Sequence, residues 1–116
     1  MYKLFFILLL GVFSCTGPEE LEESKPADLL EKKEMVEIMS DLAIIEGHVQ
    51  SKYKTVIAYH KIMTQSGRAY LKSKGVSEDR YERSFDYYLS VSSEMKSITS
   101  QVIERLNRKK LELEKE

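Results

Sequence analysis

Apolar residues return every seven positions from Met35 onward: Met35, Leu42, Val49, Val56, Met63 and Tyr70. Ile38, Ile45 and Tyr59 follow their partners by three residues, and Lys52 is the interruption in that second row. A seam of this kind keeps one face of an α-helix apolar for about four heptads. A half-buried strand needs period two, which is absent here. The spacing predicts a helix over residues 33–74, roughly 60 Å long if continuous. Gly47 weakens it locally, and Ser66–Gly67 is the expected place for a kink.

The stop that follows is written in local chemistry. Lys72 and Lys74 suit the negative end of a helix dipole. Gly75 supplies a left-handed position just past the end. Ser77 can cap the next helix, with Glu78 and Asp79 in its first turn. Tyr81, Phe85 and Tyr88 then form one aromatic face. Residues 90–93, SVSS, are weak helix formers and predict a break. Met95, Ile98, Val102 and Leu106 form the stripe of a last helix. Its end, RLNRKKLELEKE, loses the pattern and is expected to fray, with Arg105, Arg108, Lys109 and Lys110 followed by Glu112, Glu114 and Glu116 as a solvated surface. Upstream, Asp28 is expected to cap a short turn carrying Leu29 and Leu30. The 32% of charged residues, with only 5 Gly and 2 Pro, suits long helices with a wet face. The expected fold is all-α. It is an elongated antiparallel helical hairpin or a small three- to four-helix cluster, preceded by a signal peptide and a flexible tether. Two long arms bury a thin core, so help from self-association or a partner is expected.

The N-terminus reads as an address. Residues 4–13, LFFILLLGVF, are uncharged and follow Lys3. Ten residues of helix rise about 15 Å, half of the roughly 30 Å hydrocarbon core. A short basic start, an apolar centre and a small residue before a break fit a secretory signal. The break, Val12-Phe13-Ser14-Cys15, resembles the bacterial lipobox, although Phe13 is bulkier than is usual there. That resemblance implies diacylglyceryl transfer to the Cys15 thiol, cleavage after Ser14 and acylation of the new amino terminus. Residues 1–14 are then a lipoprotein signal peptide, 15–25 an acidic tether and 26–116 the helical domain. Cys15 is the only cysteine, so no intramolecular disulfide is available. Residues 15–116 carry 17 bases against 19 acids, which argues against a general polyanion binder and excludes nucleic acid as the expected partner.

Three stretches, KPADLLEKKEMVEIMSDLAIIEG, YLKSKGVSEDRYERSFDYY and VIERL, resemble small Bacteroidota lipoproteins grouped only as a domain of unknown function. The shared pattern falls on Pro26, Leu29, Leu30, Met35, Ile38, Asp41, Leu42, Gly75, Val76, Ser77, Ser84, Tyr87 and Tyr88, and covers nearly all of residues 25–107. The resemblance implies a helical, envelope-anchored protein with no assigned activity and no catalytic residues to carry over.

No G-x-S-x-G elbow, Gly-rich phosphate loop or Cys/His dyad is present. No cofactor is expected. Glu37, Asp41 and His48 share one helical stripe and are the candidates for a metal site, set against a plain solvated stripe. Asp41 lies beside the seam, and Ser84, Tyr87 or Tyr88 on the returning arm is expected to clamp it by a hydrogen bond. Tyr81, Phe85 and Tyr88 are core residues or, alternatively, a partner face. The expected function is non-enzymatic. It is a lipid-anchored module of the cell envelope, on the outer membrane and facing periplasm or surface, that binds another envelope protein or itself. The alternative is a small metal-binding protein or hydrolase using the Asp41, Glu46 and His48 region.

Overall fold

A computed structural model of the chain describes residues 24–116. The expected leader, Cys15 and most of the expected tether lie outside the described residues. Four helices follow one another: α1, Lys32–Lys52; α2, Val56–Ser73; α3, Glu78–Ser90; and α4, Ser92–Glu114. Among the described residues there is no strand. The fold is thus the small helical cluster, built on a hairpin of α1 and α2.

The tip of that hairpin is not where the seven-residue register places it. The helix expected over 33–74 breaks at Tyr53–Thr55, whereas Ser66 and Gly67 lie inside α2. The cause is local. Thr55 caps α2, its hydroxyl accepting from the Ala58 N–H at 3.2 Å. The β-branched run Thr55-Val56-Ile57 is poor at extending a helix but good at starting one from a threonine cap. Lys52, the interruption in the seam, is the last residue of α1. Val56 keeps the register yet is 71% exposed.

Helix directions follow from the cross-helix pairs. Glu37 meets Lys74, Asp41 meets Tyr70 and Glu46 meets Tyr59, so α1 and α2 are antiparallel. Lys32 meets Glu94 and Asp41 meets Lys109, so α4 runs in the same direction as α1. The chain can return in this way because α3 takes it back between two sharp stops. At the first, the Val76 N–H bonds the Leu71 carbonyl and the Gly75 N–H that of Lys72, with Gly75 at φ 71°. This is the pair of bonds that terminates a helix on a left-handed residue, and buried Leu71 and Val76 complete it. Ser77 then caps α3 through the Arg80 N–H, as its position predicts. At the second stop Val91 separates α3 from α4, within the SVSS stretch.

The core gathers at one end of the bundle. It comprises Leu30, Met35, Ile38, Leu71, Val76, Tyr88, Ile98 and Val102. Tyr81 and Phe85 pack against it, their rings 6.2 Å apart, so the aromatic face of α3 is mainly core. Toward the other end burial thins. Ile44, Val56, Ile57, Ile103, Leu111 and Leu113 are exposed. The end of α4 does not fray: it stays helical to Glu114, helped by the Arg108–Glu104 pair one turn apart and by Arg105 and Lys109 reaching Asp41.

Asp28 does not act as a cap. Its carboxylate takes both terminal nitrogens of Arg83, at 2.5 and 2.8 Å, and its carbonyl accepts from Arg80 Nε at 2.6 Å. The arginine fork outcompetes a backbone N–H for the carboxylate. Leu30 is held instead from α3. Its N–H donates to Ser84 Oγ at 3.0 Å, and its carbonyl accepts from the Tyr88 hydroxyl at 2.6 Å.

Candidate functional site

Two features could carry function: a polar node across three helices and a groove between α2 and α3. The node centres on Asp41, whose side chain is 19% exposed. Tyr70 of α2 donates to Asp41 Oδ2 at 2.6 Å, and Lys109 of α4 donates to Oδ1 at 3.2 Å. Arg105 Nη2 stands 3.9 Å from the same Oδ1. One turn earlier on α1, Glu37 accepts from Lys74 at 2.8 Å.

The expected clamp therefore exists with different partners. Ser84 and Tyr88 are spent on the Leu30 backbone, and Tyr87 stacks edge-on to Tyr88 at 5.6 Å. Asp41 finds a tyrosine on α2 because the hairpin tip lies at Tyr53–Thr55, which brings Tyr70 opposite it.

The electrostatics follow from this geometry. Burial pushes the Asp41 carboxyl up, but the hydrogen bonds from Tyr70 and Lys109 and the charges of Lys109 and Arg105 outweigh it, and the net shift is downward. Tyr70 is moved well above its ordinary value by burial and by the carboxylate it serves. The hydrogen bond and charge of Lys74 lower Glu37. Arg83 holds Asp28 down at about 2. Carboxylates lowered by folding stabilise the native state above their unfolded values, and that contribution is lost as pH falls through their folded values. The ordinary aspartate value is 3.8. The melting temperature is therefore expected to hold from neutral pH down to about pH 5 and to drop steeply below about pH 4. A series of melts in matched ionic strength checks this, and Asp41→Asn should make the drop shallower.

The carboxylates that the sequence offered for a metal or hydrolase site carry cross-helix contacts here. Glu37 and Asp41 are taken up by Lys74, Tyr70 and Lys109, while His48 is exposed further along α1. Glu46 accepts from the Tyr59 hydroxyl at 2.7 Å. Among the described residues no group of three His, Cys, Asp or Glu side chains is placed to hold a metal ion. The ion pairs instead tie α1 to α2 and α4.

The groove is the more open feature. Leu42, Met63, Gly67, Leu71 and Tyr81 give it an apolar floor of about 380 Å³. Arg68 and Glu78 pair across its rim at 2.7 Å, and Glu82 stands beside them. It exists because Gly67 has no side chain there: a Cβ at that position would meet only Leu42 Cδ2, at 4.0 Å. Tyr81, expected in the core or alternatively on a partner face, lines it, whereas Tyr88 is buried. Gly67 lines the groove instead of kinking α2, a role that helix propensity alone does not signal.

A family model described as Domain of unknown function (DUF4296) matches residues 26–112. The chain belongs to the DUF4296 family. The match takes in α1, α2, α3 and α4 as far as Glu112, and with them the residues of the node and the groove. No curated protein and no solved structure matches the chain. Among the described residues no helix is long and apolar enough to cross a membrane.

Proposed function

We propose that this DUF4296 protein is a lipid-anchored component of the bacterial cell envelope, of the Bacteroidota lipoprotein type, that binds another envelope protein as an adaptor or assembly accessory. The leader of residues 1–14, followed directly by Cys15, supports the anchor, with residues 16–25 as a spacer to the helices. The outer membrane, facing periplasm or surface, is the corresponding location.

The observation that carries the binding role is the α2–α3 groove with its apolar floor and charged rim. Aromatic and apolar side chains ringed by polar ones are how protein contacts are built. A non-enzymatic role is supported by the engagement of Asp41 and Glu46 in cross-helix hydrogen bonds.

Gly67→Leu tests the role without attacking the fold. The new side chain grows into the groove, and replacing a mid-helix glycine raises helix propensity by up to ~1 kcal/mol. The variant is expected to melt no lower than the parent and to lose the protein that the parent captures from envelope membranes. Retention of the same captured protein by Gly67→Leu at parental levels would remove the groove from the proposal.

A further inference from the structure

The two most exposed large apolar residues of α2 stand together at the hairpin tip: Val56 is 71% exposed and Ile57 84%. Along the chain their neighbourhood is one-sided in charge. From Gly47 to Ser77 the chain has no Asp or Glu, while Lys52, Lys54, Lys61, Arg68, Lys72 and Lys74 all fall within that stretch. The remaining residues are correspondingly acidic, because the whole chain carries net charge −1. Of the six bases, Arg68 and Lys74 are committed to Glu78 and Glu37. Lys52, Lys54 and Lys61 flank the apolar pair and are exposed. Lys61 lies one turn after Ile57 on the same face of α2. Glu46, the carboxylate of α1 that reaches this end of α2, is taken by Tyr59.

We propose that the α1–α2 tip is a docking point for an anionic lipid bilayer, with Val56 and Ile57 entering between head groups and Lys52, Lys54 and Lys61 binding their phosphates. Three observations favour lipid over an acidic protein. The cations that flank the apolar pair are all lysines, which protein interfaces deplete and anionic membrane surfaces attract. The apolar pair projects from a turn instead of lining a concave surface, so it suits insertion into a soft medium. A shallow hollow of about 220 Å³ at the tip, lined by Gln50, Tyr53, Lys54, Thr55, Val56 and Tyr59, offers hydroxyl, amide and ammonium groups at head-group depth. The start of α2, the positive end of its dipole, points the same way. An apolar insertion plus a cluster of lysines is a membrane attachment that needs no acyl chain, so the tip docks whether or not Cys15 is lipidated.

The chain has no tryptophan, so Ile57→Trp places a single reporter at the tip without touching the core. The full chain carrying it is reconstituted with vesicles of phosphatidylcholine alone, or of phosphatidylcholine and phosphatidylglycerol in equal parts. Far-UV circular dichroism confirms that the helices are intact. A blue-shifted emission, quenched by brominated lipid, is expected on the anionic vesicles and not on the neutral ones. Adding salt should reverse it. Combining Lys52→Glu, Lys54→Glu and Lys61→Glu should return the emission to its value on neutral vesicles. Ile103→Trp, on the exposed side of α4, should stay unshifted throughout. Equal emission on both vesicle types, a shift that survives the charge reversal, or the same shift at position 103 would overturn the proposal. A tip that ignores anionic lipid but shifts on adding polyglutamate would also overturn it, and would assign the site to an acidic polypeptide.

Discussion

Leu30→Ala is expected to destabilise the fold by about 3 kcal/mol. For a domain of this size that is roughly a 15 °C fall in melting temperature. Leu30 is fully buried among Met35, Ile38, Tyr88 and Ile98 in the one compact part of the core. A truncated leucine costs most where its surroundings cannot close in, and here they cannot. The Leu30 backbone is fixed on both sides, by Ser84 on its N–H and Tyr88 on its carbonyl. Both partners sit on α3, more than fifty residues away along the chain. The loss should therefore spread to the α3 contact and flatten the unfolding transition. Leu89→Ala, at a position 57% exposed, is the control and should be close to neutral. Differential scanning calorimetry of the three proteins decides it. A Leu30→Ala melt within about 3 °C of the parent would mean that this end is not the anchor of the core.

Asp41→Ala is expected to cost about 2 kcal/mol. Removing the carboxylate strips the acceptor from Tyr70 and Lys109 and leaves Arg105 and Lys109 facing each other without compensation. Arg105 Nε is already buried without a hydrogen-bond partner among the described residues, so its charge leans on this carboxylate. Tyr70→Phe should cost less, about 1 kcal/mol, because Lys109 still holds Asp41. The double variant should lose less than the sum of the two, since each single change already breaks the shared bond. Tyr87→Phe, outside the node, should add independently with Asp41→Ala. Strict additivity for Asp41 with Tyr70, and coupling for Asp41 with Tyr87, would contradict the geometry.

What could be read in the sequence was the punctuation with a stereochemical signature. Gly75 followed by Ser77 and two acids forces a left-handed stop and a capped start, and both occur. The weak formers of residues 90–93 break where expected. The stripe Met95, Ile98, Val102 and Leu106 packs inward, with Ile98 and Val102 buried. The hairpin tip was missed because a heptad register continues across a turn when both arms face the same core. Val49 and Met63 turn inward from different helices and so keep the count. Lys52 and the β-branched run after it held the information. Misplacing the tip then misassigned the partner of Asp41. A hydrogen bond over 29 residues depends on where the chain reverses, which periodicity does not encode. The groove was illegible for a related reason: Gly67 reads as a weak helix position in sequence, and only the approach of α3 makes it an opening. The basic stretch from Gly47 to Ser77 was visible in principle but is hidden by a near-neutral total.

The proposed lipid anchor at Cys15 is the central claim about where this protein sits. Intact mass spectrometry of the protein purified from its own membranes measures it directly. The expected species begins at Cys15 and carries the added mass of a diacylglyceryl group, with or without a further acyl chain on its amino terminus. Cys15→Ser should abolish that mass and release the chain from the membrane fraction, unless the α1–α2 tip retains part of it through anionic lipid. A chain that begins at an unmodified Cys15 would contradict the anchor, and one that still begins at Met1 would contradict both the anchor and the proposed place of this protein in the envelope.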